Sequence, residues 1–355
     1  MGGTYYLAGT ASSSSSISTQ FEILVNNLSQ EGFSLVDDFP AEFFISINHN
    51  SKKYREFLRT GGHSSKSVLL MLEPRAVYPS QYTSRALAGY SLVLAPGNLN
   101  FVSNHEEFIP WPYEAIANPQ KPVGAESSLA FQVKSNVDNL FFDYQNWAKR
   151  EFFISMINAN KVSPVKVENY SLRRKFARGL DKNSLAVFGD FWNSSYLSKI
   201  ALRFSILIFS LRNFYLPNLK HIYGDLHWKF KTSRGVALDK QEILQSSKFS
   251  IVIENDESYV SEKLFDSLIN GCIPVYLGPE LPKTILPTGI FIDLPRDPQE
   301  LLPALHRLSD LEITNYLNQI STFLCSSNFI SRWDKHCVFA QCALAISTHF
   351  EDLHE

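Results

Sequence analysis

The sequence predicts an α/β protein of two doubly wound, Rossmann-like domains facing across a cleft, and three observations carry that expectation. The length of 355 residues exceeds what one hydrophobic core comfortably serves. Short apolar runs alternate with segments of helical spacing, and this alternation restarts near residue 150. The clearest unit, Phe249 to Pro279, reads strand, polar loop, helix and strand, which is one parallel βαβ unit. A domain of residues 1–149 followed by one of residues 150–355 is therefore expected.

Thr4 to Leu7 reads as a short strand, followed by the low-complexity run Ala11 to Ser18. Phe21, Leu24, Val25 and Leu28 recur at helical spacing and predict a helix over Ser18 to Glu31. Phe43 to Asn48 is the next strand and leads into His49-Asn50. A helix at Lys52 to Arg59 and strands at Ser67 to Leu72 and Ser91 to Ala95 come after it. Pro110, Pro112, Pro119 and Pro122 punctuate a surface traverse. Strand Phe152 to Ile157, helix Ser171 to Leu180 and strand Leu185 to Phe188, closed by Gly189, then repeat the βα rhythm. Asn193 to Tyr223 reads as an inserted helical pair broken at Pro217, with no chemistry assigned to it.

Apolar content of 45% with 19% charged residues is that of an ordinary soluble globular protein. A formal net charge of −2 gives no overall attraction to nucleic acid or anionic membrane, so any polyanion site is local. The longest apolar run, Phe204 to Leu211, is far too short to span a bilayer, and Met1 to Leu7 lacks the pattern of a signal peptide. Cys272, Cys325, Cys337 and Cys342 form no metal-type pairs and read as reduced thiols. His221 and His227 share no helix face, Asp37-Asp38 has no nucleotide motif beside it, and no Gly-rich phosphate loop is present. No metal and a cytoplasmic location are expected, with peripheral contact to a membrane left open.

The chemistry concentrates after the apolar run Phe249 to Ile253, where the chain turns polar at Glu254-Asn255-Asp256. A helix beginning near Ser258 puts Tyr259, Glu262 and Lys263 on one face of its N-terminal end. Backbone N–H groups and the helix dipole favour an anion there, a lysine adds a full charge for a phosphate, and a glutamate can accept from a ribose. The plainer alternative, solvated helix residues behind a Ser258 cap, fits the spacing equally well.

This stretch resembles the donor-binding motif of the family 10 glycosyltransferases, the α-1,3/α-1,4-fucosyltransferases. The resemblance stands on Ser247-Lys248-Phe249, Glu254-Asn255, Tyr259-Val260-Ser261-Glu262-Lys263-Leu264 and Gly271-Cys272-Ile273-Pro274-Val275-Tyr276-Leu277-Gly278. It implies a GT-B type fold and transfer of fucose from GDP-fucose to a glycan hydroxyl with inversion. It further implies that Tyr259, Glu262 and Lys263 bind the donor and that Glu254 and Asn255 line its sugar pocket. The family's upstream arginine matches Arg173 best, with Arg174 as its competitor, behind Ala159-Asn160 where the family commonly has Ser-Asn. Its catalytic glutamate, often within Glu-Ser-Pro, corresponds to Glu73, although Pro74 follows directly here. A carboxylate at the end of a buried strand is well placed for a general base, and pairing of Glu73 with Arg75 or Arg85 is the plainer reading.

The partners so implied are a GDP-sugar and a glycan acceptor of the kind found in bacterial surface polysaccharide. Two alternatives stand beside this reading: a transferase of the same fold using another nucleotide sugar, and a non-catalytic protein that binds a sugar nucleotide or glycan.

Overall fold

Apolar runs of four to seven residues between turn signals are the pattern of strands covered on both faces, and here they form two parallel sheets. The computed structural model describes residues 3–9, 19–95, 129–163, 165–193, 230–257 and 259–353. The Ala11–Ser18 run, Pro110 to Pro122, Asn193 to Tyr223 beyond its first residue, His221, His227 and Ser258 lie outside them.

The first sheet contains β1 (Thr4–Ala8), β2 (Ser34–Val36), β3 (Phe43–Ile47), β4 (Ser67–Leu70) and β5 (Leu92–Leu94), in the order β2-β1-β3-β4-β5. Helices α1 (Thr19–Gln30), α2 (Ser51–Arg59) and α3 (Ser84–Leu87) connect them. Strand alternation sorts the core into two clusters. Phe43, Ile45 and Ile47 pack with Phe21, Leu24 and Leu28 of α1, while Phe44 packs with Phe57, Leu87 and Tyr90.

The second sheet contains β6 (Phe152–Ile157), β7 (Leu185–Phe188), β8 (Ser233–Gly235), β9 (Ser247–Ile253), β10 (Ile273–Leu277) and β11 (Ile292–Asp293). Their order is β11-β10-β9-β6-β7-β8, with every recorded pairing parallel. Read from β8, this is the 3-2-1-4-5-6 order of a dinucleotide-binding sheet, and the strand order reverses between β6 and β9. Its helices are α4 (Leu129–Asp138), α5 (Tyr144–Ala148), α6 (Tyr170–Gly179), α7 (Lys240–Gln245), α8 (Glu262–Ile269), α9 (Pro298–His306), α10 (Asp310–Leu324) and α11 (Ser327–Trp333). A final helix, α12, spans Lys335–Glu351.

The division into compact units differs from a cut at residue 150. One unit holds Met1–Glu114 with Ser331–Glu355, and the other Ala115–Ile330. Packing explains both changes. Phe350 of α12 stacks on Phe43 at 3.9 Å and Phe339 meets Phe21 edge-on at 5.9 Å, which ties α12 to the first sheet. Trp147 donates to the Lys248 carbonyl at 2.9 Å, and Asn136 to the Ile269 carbonyl at 2.7 Å, which ties α5 and α4 to the second. All four cysteines are free thiols. Among the described residues no helix is long and apolar enough to cross a membrane.

Candidate active site

Ligand-binding residues of a parallel sheet gather outside the carboxyl ends of its strands, where strand order reverses. In the second unit Asn158 follows β6, and Glu254 and Asn255 follow β9, so both flank that point. Gly189, after β7, has φ 133°, and a Cβ on it would lie 2.3 Å from the Asn158 carbonyl oxygen. Only glycine lets the two loops approach this closely.

Arg173, on α6, is 2% exposed. Its Nε donates to the Ile253 carbonyl at 3.1 Å, and its Nη2 donates to that carbonyl and, at 2.9 Å, to Asn255 Oδ1. Asn255 in turn donates from Nδ2 to Tyr259 Oη at 2.9 Å, and its carbonyl accepts from Asn169 N–H at 2.9 Å. The Tyr170 ring lies under the guanidinium, 4.9 Å away. Burial weakens the proton affinity of Arg173, while Tyr170 and Glu254 oppose that loss. Nη1 is the guanidinium nitrogen that makes no hydrogen bond among the described residues. Arg174 points elsewhere and donates to the Lys161 carbonyl at 2.7 Å. Of the two arginines, the structure therefore brings Arg173 to the end of β9.

Helix α8 begins at Glu262 behind an N-cap at Ser261, later than the predicted start near Ser258. Tyr259 consequently precedes the helix and does not share its face with Glu262 and Lys263. The cause is Glu254, which is fully buried. Its Oε1 accepts from Ser261 N–H at 2.9 Å and its Oε2 from Ser261 Oγ at 2.5 Å, which holds the chain extended up to the cap. Burial pushes the Glu254 carboxyl up, against the attraction of Lys263 and the Ser261 hydrogen bonds. With one hydrogen bond on each oxygen, Glu254 braces the loop between β9 and α8.

Lys263 Nζ donates to Ser261 Oγ at 3.0 Å and pairs with Glu262 Oε1 at 3.3 Å. The Glu262 and Lys263 side chains remain 33% and 21% exposed, so these are the charged groups that the motif leaves open to a ligand. Burial would raise the Glu262 carboxyl, but Lys263 and Lys240 hold it below the usual carboxylate range. Among the described residues, no cluster of His, Cys, Asp or Glu could hold a metal ion.

Two residues near this point escaped sequence reasoning. Asn158 and Asn169 are 6% and 7% exposed, and Asn158 Oδ1 and Asn169 Nδ2 are buried without a hydrogen-bond partner among the described residues. Such groups cost about 1–3 kcal/mol each when unmet. A polar residue directly after each βα strand end was the one available signal, and it singles out Asn158 alone.

Glu73 lies in the first unit, just past β4. Its N–H donates to Asn48 Oδ1 at 3.0 Å, and its carbonyl accepts from Gln81 Nε2 at 2.7 Å and Tyr82 Oη at 3.0 Å. Nothing in the sequence marked Asn48 or Gln81 as its supports.

No protein-family model matches the chain. A putative fucosyltransferase-like protein of Arabidopsis thaliana is 44% identical over 59 residues, which is 16% of this chain and 11% of that protein. The match thus spans only about a tenth of that relative's length. A crystal structure of an alpha1,3-fucosyltransferase shares the fold with a TM-score of 0.52 at 15% identity, over 90% of this chain and 80% of that one. Anabaena HepE in complex with UDP and glucose gives 0.51 at 11% identity, over 98% and 100% of the two chains. The fold is accordingly α/β of GT-B type, and the sequence match falls on the same kind of protein, a fucosyltransferase-like chain, that the Phe249–Pro279 stretch resembles.

Proposed function

We propose that the chain is an inverting glycosyltransferase that moves fucose from GDP-fucose to a hydroxyl of a glycan. The observation that supports it most is the linked set Arg173–Asn255–Tyr259 at the end of β9, with Lys263 in the first turn of the helix that follows. Lys263 and the open Nη1 of Arg173 are the cations for a diphosphate. Charge-assisted contacts of this kind contribute about 1.5–3 kcal/mol each. They neutralise the negative charge that grows as the bond from the anomeric carbon to the diphosphate breaks, so the leaving group needs no general acid. Asn158 and Asn169 offer the donor an acceptor and a donor whose needs are unmet without it. Glu262 accepts from the ribose. Glu73, in the first unit, is the base of this reading and takes the proton of the attacking hydroxyl as the new C–O bond forms.

A uridine nucleotide sugar is the second reading, because the HepE structure of comparable fold similarity holds UDP. Thermal unfolding with GDP and with UDP, followed by release of fucose from GDP-fucose, separates the two. A ligand at a hundred times its Kd adds about 2.7 kcal/mol to the stability of the protein it binds. Stabilisation by GDP with release of fucose supports the proposal, whereas stabilisation by UDP alone would sink it. Stabilisation by GDP without any turnover would make the chain a binding protein.

A further inference from the structure

We infer that His49 is an acceptor-side binding residue, whose Nε2 hydrogen-bonds the hydroxylated acceptor beside Glu73. The inference rests on the glycosyl-transfer reading above, and its basis lies wholly in the first unit. Strands β3 and β4 are parallel neighbours with Ile47 opposite Leu70, so His49 and Glu73 leave the sheet side by side at its carboxyl end. Asn48, with φ 55°, turns the chain there, and its Oδ1 accepts from Leu72 N–H at 2.9 Å and Glu73 N–H at 3.0 Å. Gln81, fully buried, bridges the same two loops. Its Oε1 accepts from His49 N–H at 3.2 Å while its Nε2 donates to the Glu73 carbonyl at 2.7 Å.

His49 is held at every other hydrogen-bonding atom. Tyr78 Oη donates to its carbonyl at 2.7 Å, and its Nδ1 shares a 3.0 Å hydrogen bond with Tyr90 Oη. The Tyr90 ring meets the imidazole edge-on at 5.8 Å. Nε2 is left as the one atom without a hydrogen bond among the described residues, on a half-buried side chain. Burial lowers the basicity of the imidazole, which keeps it neutral near pH 7. A neutral, oriented ring nitrogen suits a hydroxyl and not a phosphate, since it can accept or donate but brings no charge. Two buried amides joining the Glu73 and His49 loops hold both side chains in one fixed relation, as a site for a single small polar group requires.

The test measures transfer from GDP-fucose to methyl β-galactoside and methyl β-N-acetylglucosaminide, with GDP affinity read separately. His49→Gln should raise the acceptor KM about tenfold, the equivalent of one hydrogen bond, and leave GDP affinity within about twofold. Tyr90→Phe, which frees the ring without removing it, should raise the same KM by a smaller factor. Added imidazole should restore part of the activity of His49→Ala, a readout that a purely structural histidine would not move. Wild-type acceptor KM in His49→Gln overturns the inference alone. If His49→Gln does not fold, an unchanged acceptor KM in Tyr90→Phe overturns it. Absence of both GDP stabilisation and fucose release from GDP-fucose in the wild-type protein removes the parent reading and the inference together.

Discussion

Arg173 donates to Asn255 Oδ1 at 2.9 Å, and this one bond ties the first helix after β6 to the loop after β9. It also divides the roles of the cations at the site. Arg173 holds the loop with Nε and Nη2 and has Nη1 left among the described residues, whereas the Lys263 ammonium hydrogen-bonds its chain neighbours Ser261 and Glu262. Arg173→Ala should lower stability by about 2–4 kcal/mol as well as remove GDP binding, because it strips a buried carbonyl and Asn255 of their partner. Chemical denaturation alongside GDP titration measures both. Normal stability with lost binding would mean that Arg173 does not brace the loop.

Lys263→Ala is the complementary variant. Its side chain is 21% exposed and its pair with Glu262 is local, so the expected stability change is within about 1 kcal/mol. GDP binding should fall below detection, and transfer with it. Retention of GDP-dependent stabilisation in this variant would take Lys263 out of the diphosphate site.

Glu254 makes a prediction about pH. Its folded-state pKa is raised above 4.5 by burial, so the folded protein binds this proton more tightly than the unfolded chain does. Stability from this group is present below about 4.5 and declines as pH rises toward the folded value. Glu254→Gln keeps an acceptor for Ser261 N–H and cannot ionise, so it should abolish that decline. Denaturation midpoints of both proteins from pH 4.5 upward test it. Parallel curves would show that the Glu254 carboxylate is not destabilised by burial.

Arg150 is a purely structural arginine. Its two terminal nitrogens donate to the carbonyls of Leu244, Ser247, Gly271, Phe141 and Asn270 at 2.9–3.4 Å. These carbonyls belong to the ends of α7, β9 and α8 and to the turn before α5, so one side chain joins them. A lysine keeps the charge but not the fork, and Arg150→Lys should cost about 3–5 kcal/mol. The GDP affinity of the folded fraction should be unchanged. A loss below 1 kcal/mol would mean that water replaces the fork.

What the sequence made legible follows from how local its causes are. Phe152–Ile157 and Leu185–Phe188 appear as strands over the predicted residues, because a buried parallel strand must be apolar along its length. The motif around Glu262-Lys263 was equally visible. The helix start was not, because it is set by the Glu254 carboxylate reaching seven residues ahead to Ser261 and not by helical spacing. Chain order likewise says nothing of which sheet α12 covers; that depends on Phe350 meeting Phe43. Gln81 sits within a short 3-10 turn and has no pattern around it, and its two hydrogen bonds are what give it meaning.

Glu73 carries the last prediction. Asn48 accepts from its N–H while Gln81 and Tyr82 donate to its carbonyl, so its backbone is held on both sides independently of the carboxylate. Glu73→Gln therefore removes the base and keeps these backbone hydrogen bonds. If Glu73 accepts the proton of the attacking hydroxyl, the substitution should slow transfer about 10²–10⁴-fold, the usual contribution of a general base. GDP binding, measured by titration on the same protein, should stay within about twofold, since the residues proposed to hold the diphosphate, Arg173 and Lys263, belong to the other unit. Wild-type turnover in Glu73→Gln would assign the proton to another group, and His49 would then be the first to test.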